Sequence, residues 1–231
     1  MPSFAPRLES LPPAQRALWP HLAPARGIGL VLYGGTAVAL RCGNRESVDF
    51  DFFGKPPLDK DALRRVLPVV ESGVVLQDAP DTLTVATNGV KLSFFGVDVE
   101  YLVPPDTTDD GVLTVASPTD LLAHKLKVIL QRAESRDYSD IAALLDYGVP
   151  LHVGLAGARR LFGRQFQPAE SLKALTYFGD GDLASVGPAT RTLLRAAVDA
   201  VQGHGRQVFE NTTAQEPPVF CQHEQDPYWG L

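Results

Sequence analysis

The sequence predicts an α/β region followed by a mainly α-helical part. Three observations carry this. Residues 28–40 read as an apolar strand, a glycine break and a helix start. Residues 47–53 (SVDFDFF) alternate with a period of two, and four more β-type segments follow between 73 and 103. From Ser117 onward the alternation gives way to helical spacing.

The elements follow in order. Pro13 to Leu22 has an apolar face of Leu11, Leu18, Trp19 and Leu22 and reads as a short helix. Residues 28–33 (IGLVLY) form a buried strand, broken by Gly34-Gly35. A helix begins at Thr36 and ends at Gly43-Asn44. Ser47 to Phe53 is the next strand. Residues 58–71 give a helix that Pro68 bends or ends. Residues 73–77, 82–87, 90–95 and 97–103 are β-type, with Asn88-Gly89 as a hairpin signal and Gly96 as a break. Ser117-Pro118-Thr119-Asp120 opens a helix carrying Leu122, Leu126, Ile129 and Leu130. Further helices are expected near 138–145, 153–163, 168–177 and 188–203. The last 27 or so residues lack periodicity. The expected division is 1–115 (α/β), 116–203 (helical) and 204–231 (a flexible tail).

Composition narrows the function classes. The 231 residues are 45% hydrophobic and 21% charged, as in a globular protein. A net charge of −6 has the wrong sign for nonspecific coating of nucleic acid, while leaving room for a nucleotide or one RNA end in a local basic pocket. Cys42 and Cys221 form no CxxC or Cys/His pattern and read as two thiols in a reducing cytoplasm. The N-terminus has no signal-peptide core, and no run approaches the ~18 apolar residues of a membrane span.

The chemistry centres on Asp49 and Asp51. Alternate strand residues share a face, so both carboxylates point one way while Phe50 and Phe52 point into the core. Two acids so placed can hold a divalent cation jointly, and Mg²⁺ or Mn²⁺ favours carboxylates together with phosphate oxygens. Taken alone, the same text also suits a strand with a solvated face. Gly34-Gly35-Thr36 adds a strand–turn–helix junction whose backbone N–H groups can face an anion, with the Thr36 hydroxyl as a further donor. This is neither a P-loop nor a dinucleotide fingerprint, because GxxxxGK[ST] and GxGxxG are both absent.

Read as one unit, LYGGTAVALRCGNRESVDFDFFG resembles the AbiEii-type family of abortive-infection nucleotidyltransferase toxins, in the polymerase-β-like superfamily. The matching positions are Gly34, Gly35, Thr36, Ala37, Gly43, Arg45, Ser47, Asp49 and Asp51, with Asn44 where the family often has His. A second block, DLLAHKLKVILQRAESRDYSDI, places Lys125, Arg132, Arg136, Asp137 and Asp140 on the family's Lys, Arg and Asp positions. If one helix ran through this block, Arg132 and Arg136 would each fall within ~20° of Lys125, and Lys127 ~180° from Arg136. That arithmetic favours Lys125 as the functional lysine.

The resemblance implies a nucleotidyltransferase-like mixed sheet with flanking helices. It implies an enzyme that moves a nucleoside monophosphate from an NTP to an acceptor hydroxyl, with RNA or tRNA as the acceptor. The toxin would be controlled by a cognate antitoxin. Asp49 and Asp51 would bind metal. Lys125 and Asp140 would join them in catalysis. Gly34, Gly35, Thr36, Arg45, Ser47, Lys125, Arg132 and Arg136 would hold the nucleotide. Small-molecule or protein acceptors, and a non-catalytic binding module of the same fold, are the alternatives.

One departure stands out. Such enzymes commonly carry a third carboxylate on a neighbouring strand, and the equivalent position in VKLSFF is Ser93. Asp98 and Glu100 share a face on the next β-type segment, so either, or neither, completes the site. Arg159, Arg160 and Arg164 make a small basic patch that suits an RNA backbone or a solvated helix face.

Overall fold

The computed structural model describes residues 2–98 and 100–212, with side chains through 203. The chain forms two compact units, one through Leu121 and one from Leu122.

The first unit is built on an eight-stranded mixed sheet. Its elements are β1 (Ser3–Phe4), α1 (Pro13–Leu18), β2 (Val31–Tyr33), α2 (Gly34–Cys42), β3 (Asp49–Gly54), α3 (Lys60–Val66), α4 (Pro68–Glu71), β4 (Val74–Ala79), β5 (Thr82–Thr87), β6 (Val90–Gly96), β7 (Asp106–Thr108) and β8 (Thr114–Val115). The sheet order is β1-β7-β8-β2-β3-β6-β5-β4. At its centre β3 runs antiparallel to β2 and parallel to β6. The predicted α/β class is therefore found, with the central strand DFDFFG flanked on both sides.

Period-two alternation decides what each face does. Phe50, Phe52, Leu92, Phe94, Leu83 and Val85 are buried on one face. Phe52 stacks on Phe94 at 5.3 Å, and Trp19 lies 6.4 Å from Phe50. The opposite face of β3 carries Asp49 and Asp51. Asn88 and Gly89 both adopt positive φ, 51° and 77°, which gives the tight turn expected between β5 and β6.

Local differences from the sequence reading have physical causes. The first helix stops at Leu18 and continues as a 3₁₀ segment, Trp19–Ile28, in a stretch interrupted by Pro20 and Pro24. Pro68 divides the 58–71 helix into α3 and α4. The β-type reading of 97–103 is corrected. The strand ends at Gly96, and Leu102 and Val103 donate their backbone N–H groups to the buried Asp120 carboxylate instead of to a sheet neighbour. Asp120 also accepts from Ser117 Oγ at 2.5 Å, while its own N–H donates to Ser117 Oγ at 3.1 Å. This reciprocal cap opens α5 (Pro118–Val128).

The second unit is helical, with the later part of α5, α6 (Ser135–Asp146), α7 (Leu151–Phe162), α8 (Pro168–Thr176) and α9 (Pro188–Thr212). Leu122, Leu126, Ile141, Leu144, Leu155, Phe166, Leu175 and Leu194 form its core. Gly154 allows α7 to meet Leu122, because a Cβ there would lie 2.5 Å from the leucine Cδ2. Helix α9 runs into the segment read from sequence as an aperiodic tail, and residues 213–231, with Cys221, lie outside the described residues. Among the described residues no single helix is long and apolar enough to cross a membrane.

Candidate active site

Strand β2 ends at Tyr33 and α2 starts at once with Gly34, whose φ is +71°. A side chain is strained in that region, and here it would also collide: a Cβ on Gly34 would sit 2.5 Å from Asp51 Oδ2. Gly35 makes the matching approach to the loop before β3. A Cβ there would lie 2.3 Å from Arg45 Nη2 and 3.2 Å from Ser47 Oγ. The two glycines thus bring the first turn of α2 against Asp51, Arg45 and Ser47. This explains physically why GG, RxS and DFD occur as one block. The N-cap, Tyr33, contributes no side-chain hydrogen bond, so the first N–H groups of α2 depend on other acceptors.

Thr36 behaves differently from the sequence expectation. It is buried, and its hydroxyl hydrogen-bonds the Asp49 carbonyl and the Ser47 hydroxyl, the latter at 2.9 Å. It ties α2 to the start of β3. Arg45 Nη1 donates to the Glu46 carbonyl at 3.0 Å, and Ser47 is buried.

Register places the neighbours of the acidic pair. Asp51 lies between Tyr33 of β2 and Ser93 of β6, and Asp49 lies beside Lys91. Lys91 Nζ is 3.2 Å from Asp49 Oδ2, with both side chains partly exposed. Sequence reasoning missed Lys91, since only the β3–β6 register reveals the pairing. Ser93 is the residue level with Asp51, and it is buried. Asp98 and Glu100 are five and seven residues beyond it, past the end of β6. Among the described residues no group of three or more His, Cys, Asp or Glu side chains is placed to hold one metal ion. Tyr33 stacks on Phe53 at 4.6 Å, and burial together with the Asp120 charge pushes its hydroxyl well above the usual tyrosine range. It is neutral at physiological pH. A separate cavity of about 230 Å³ sits at the far end of β3 and β6, lined by Gly54, Lys55, Leu58, Asp98 and Tyr101.

The second block lies in the helical unit. The continuous helix assumed for Lys125, Arg132 and Arg136 is corrected, because α5 stops at Val128 and α6 starts at Ser135. The turn folds the two helices together. Buried Lys125 donates to Asp137 at 2.7 Å and lies 2.8 Å from Asp140, both carboxylates being fully buried. Arg132 Nε reaches Asp137 Oδ2 at 2.8 Å. Arg136 points elsewhere, paired with partly exposed Glu134 at 2.5 Å. Burial pushes the Asp137 carboxyl up, but the charge of Lys125 and the bonds from Arg132 and Lys125 outweigh it and hold the group below the usual carboxylate range. Asp137 received no role from the sequence, yet it is the residue that Lys125 and Arg132 share. Arg159 donates to the Gly163 and Phe166 carbonyls at 2.7 and 2.9 Å, so part of the basic patch closes the end of α7.

Comparisons with known proteins follow the same outline. The model of a family described as nucleotidyl transferase AbiEii toxin, type IV toxin–antitoxin system, matches residues 21–202. An uncharacterized protein of Aquifex aeolicus (strain VF5) is 34% identical over 116 residues, 49% of this chain and 56% of that protein. The chain thus spans little more than half the length of that curated relative. The nucleotidyltransferase toxin MenT4 of Mycobacterium tuberculosis H37Rv is similar in structure, with a TM-score of 0.50, 18% identity, and coverage of 86% of this chain and 90% of that one. The Megavirus polyadenylate synthase aligns with a TM-score of 0.40 and 15% identity over 54% of this chain and 29% of its own. The match over residues 21–202 decides the family: the chain belongs to the AbiEii nucleotidyl transferase toxins.

Proposed function

We propose that the chain transfers a nucleoside monophosphate from an NTP to an acceptor hydroxyl, using a divalent cation, Mg²⁺ or Mn²⁺, at Asp49 and Asp51. The observation that carries this reading is the contact of Gly34 with Asp51 and of Gly35 with Arg45. Carboxylates for a cation and donors for a phosphate meet there within one turn of backbone. The donor set fits a hard cation: two carboxylates share a face of β3, and Asp49 already draws a cation, the Lys91 ammonium, to 3.2 Å. Bound there, a divalent ion would neutralise charge on the reacting phosphate and acidify the incoming hydroxyl.

The remaining work falls to the chain itself. N–H groups of the Gly34-Gly35 turn and the Arg45 guanidinium receive phosphate oxygens, with Arg45 suited to two at once. Ser47 and Thr36 lock the loop that carries Arg45 to the first turn of α2. The acceptor oxygen attacks the α-phosphorus in line as the bond to the β-phosphate oxygen breaks. Pyrophosphate leaves, and the hydroxyl proton passes to solvent or to a carboxylate oxygen of the pair. Fixing both partners removes orientational entropy from this step.

In the helical unit we assign Lys125, Asp140 and Arg132 a positioning role, holding α5 to α6 through Asp137. Arg136, half-exposed, pairs with Glu134 and takes no part in that network. Family membership supports a toxin paired with an antitoxin; RNA or tRNA in the cytoplasm is the target we propose for it.

Incubation with labelled NTPs, Mn²⁺ or Mg²⁺ and total RNA tests the proposal. Label is expected in RNA and lost in Asp49→Ala. Transfer to a small molecule or protein instead would redirect the acceptor. Nucleotide binding without any transfer would favour a non-catalytic module, the reading that Ser93 beside Asp51 keeps in play.

A further inference from the structure

Strand β6 decides how much positive charge the acidic pair can accept. In its parallel register with β3, Lys91 is level with Asp49 and Ser93 is level with Asp51. The row facing the two carboxylates therefore offers an ammonium and a hydroxyl. On the other side, Tyr33 of β2 is level with Asp51 and is neutral. No third carboxylate joins the pair among the described residues.

Two-metal sites hold ions about 3.5–4 Å apart. Each small hard ion also seeks near-octahedral oxygen coordination. Two carboxylates bring two negative charges. From the protein alone, two divalent ions with Lys91 would set five positive charges against these two, and one divalent ion three, so a second ion would have to rest on nucleotide phosphate. The Lys91 ammonium also lies 3.2 Å from Asp49 Oδ2 and competes with any cation for that oxygen.

We infer that this site takes one divalent cation, held between Asp49 and Asp51, and that Lys91 is a second positive charge built into the sheet. The inference rests on the reading that the pair binds metal at all. It assigns Lys91 to the nucleotide site as a positioning residue that also meets phosphate charge from the β6 side. Its partial exposure, 37%, lets the ammonium move between Asp49 and a phosphate oxygen.

The test is a count of bound Mn²⁺ per full-length chain by electron paramagnetic resonance. The α,β-methylene analogues of the four NTPs are added in turn at saturation. One bound ion with an uncoupled signal is expected. Two ions, or the exchange-broadened signal of a coupled pair, would overturn the inference while leaving the metal reading intact. Equal binding by the Asp49→Ala/Asp51→Ala variant would instead remove the metal reading, and the inference with it. Lys91→Met, a change at a partly exposed side chain, supplies the second measurement. Without nucleotide it should bind Mn²⁺ about fivefold more tightly, as expected for releasing Asp49 from a partly exposed ion pair. Unchanged affinity would overturn the role given to Lys91.

Discussion

Replacing Gly34 with alanine separates the account from a generic glycine turn. Two costs arise. The backbone at φ +71° is left-handed, which costs a residue bearing a Cβ about 1–2 kcal/mol. The new methyl would also lie 2.5 Å from Asp51 Oδ2, so the carboxylate must rotate away. Together these predict a loss of about 2–3 kcal/mol in urea unfolding, since an off-rotamer side chain adds roughly 0.5–1.5 kcal/mol. The effect on turnover should be larger than the effect on stability. A displacement near 1 Å at a reacting group costs on the order of 10²-fold. Gly35→Ala is the internal control. Its φ lies outside the left-handed region, and its methyl would meet the flexible end of Arg45 at 2.3 Å. It should therefore cost less than about 1 kcal/mol and raise the KM for NTP while sparing kcat, because the displaced group binds and does not react. The assays are urea unfolding followed by circular dichroism, and steady-state transfer of labelled NTP. A Gly34→Ala protein with kcat within twofold of wild type would refute the proposed contact between the turn and Asp51.

Three further outcomes follow from the helical unit and the loop before β3. Lys125→Met should destabilise the helical unit by about 3–5 kcal/mol, because it withdraws a buried cation from two fully buried carboxylates; unfolding monitored by α-helical ellipticity checks this. Acid should weaken the same unit. The folded pKa of Asp137 is below its unfolded value near ~3.9, so the unfolded chain takes the proton more readily. That stabilisation is complete above about pH 4 and is lost as pH falls through the folded value; an acid unfolding curve that shifts upward in pH in Arg132→Met is the expected result. Arg45→Ala should leave stability within about 0.5 kcal/mol, as for a partly exposed side chain, and weaken NTP binding measured by calorimetry about tenfold or more.

Much of the fold was legible because its signals are local. Alternation in DFDFF fixes which side chains are buried, and Asn88-Gly89 fixes the hairpin that brings β6 back along the sheet. The link between GG, RxS and DFD was legible as text; its cause, two missing methyl groups at Asp51 and Arg45, needed coordinates. Residues 97–103 misled because VDVEYLV alternates like a strand. A distant carboxylate, Asp120, takes its backbone donors, and alternation carries no trace of that. The single helix through Lys125, Arg132 and Arg136 failed for a related reason. Helical arithmetic was extended across residues 129–134, where the chain turns, so Arg136 was placed on one stripe with Lys125 and Arg132, which instead share Asp137. The pairing of Lys91 with Asp49 depends on strand register, which no single strand's sequence contains.

The central claim is that Asp49 and Asp51, with the glycine turn beside them, perform nucleotidyl transfer. Transfer of α-³²P label from each NTP to total RNA tests it most directly, comparing wild type with Asp51→Asn, a near-isosteric change that removes charge and keeps volume. The account predicts labelled RNA with wild type, and at least a 10²-fold loss in Asp51→Asn with little change in the unfolding curve, the loss expected for removing a group that acts on charge in the transition state. Equal labelling by both proteins would contradict it.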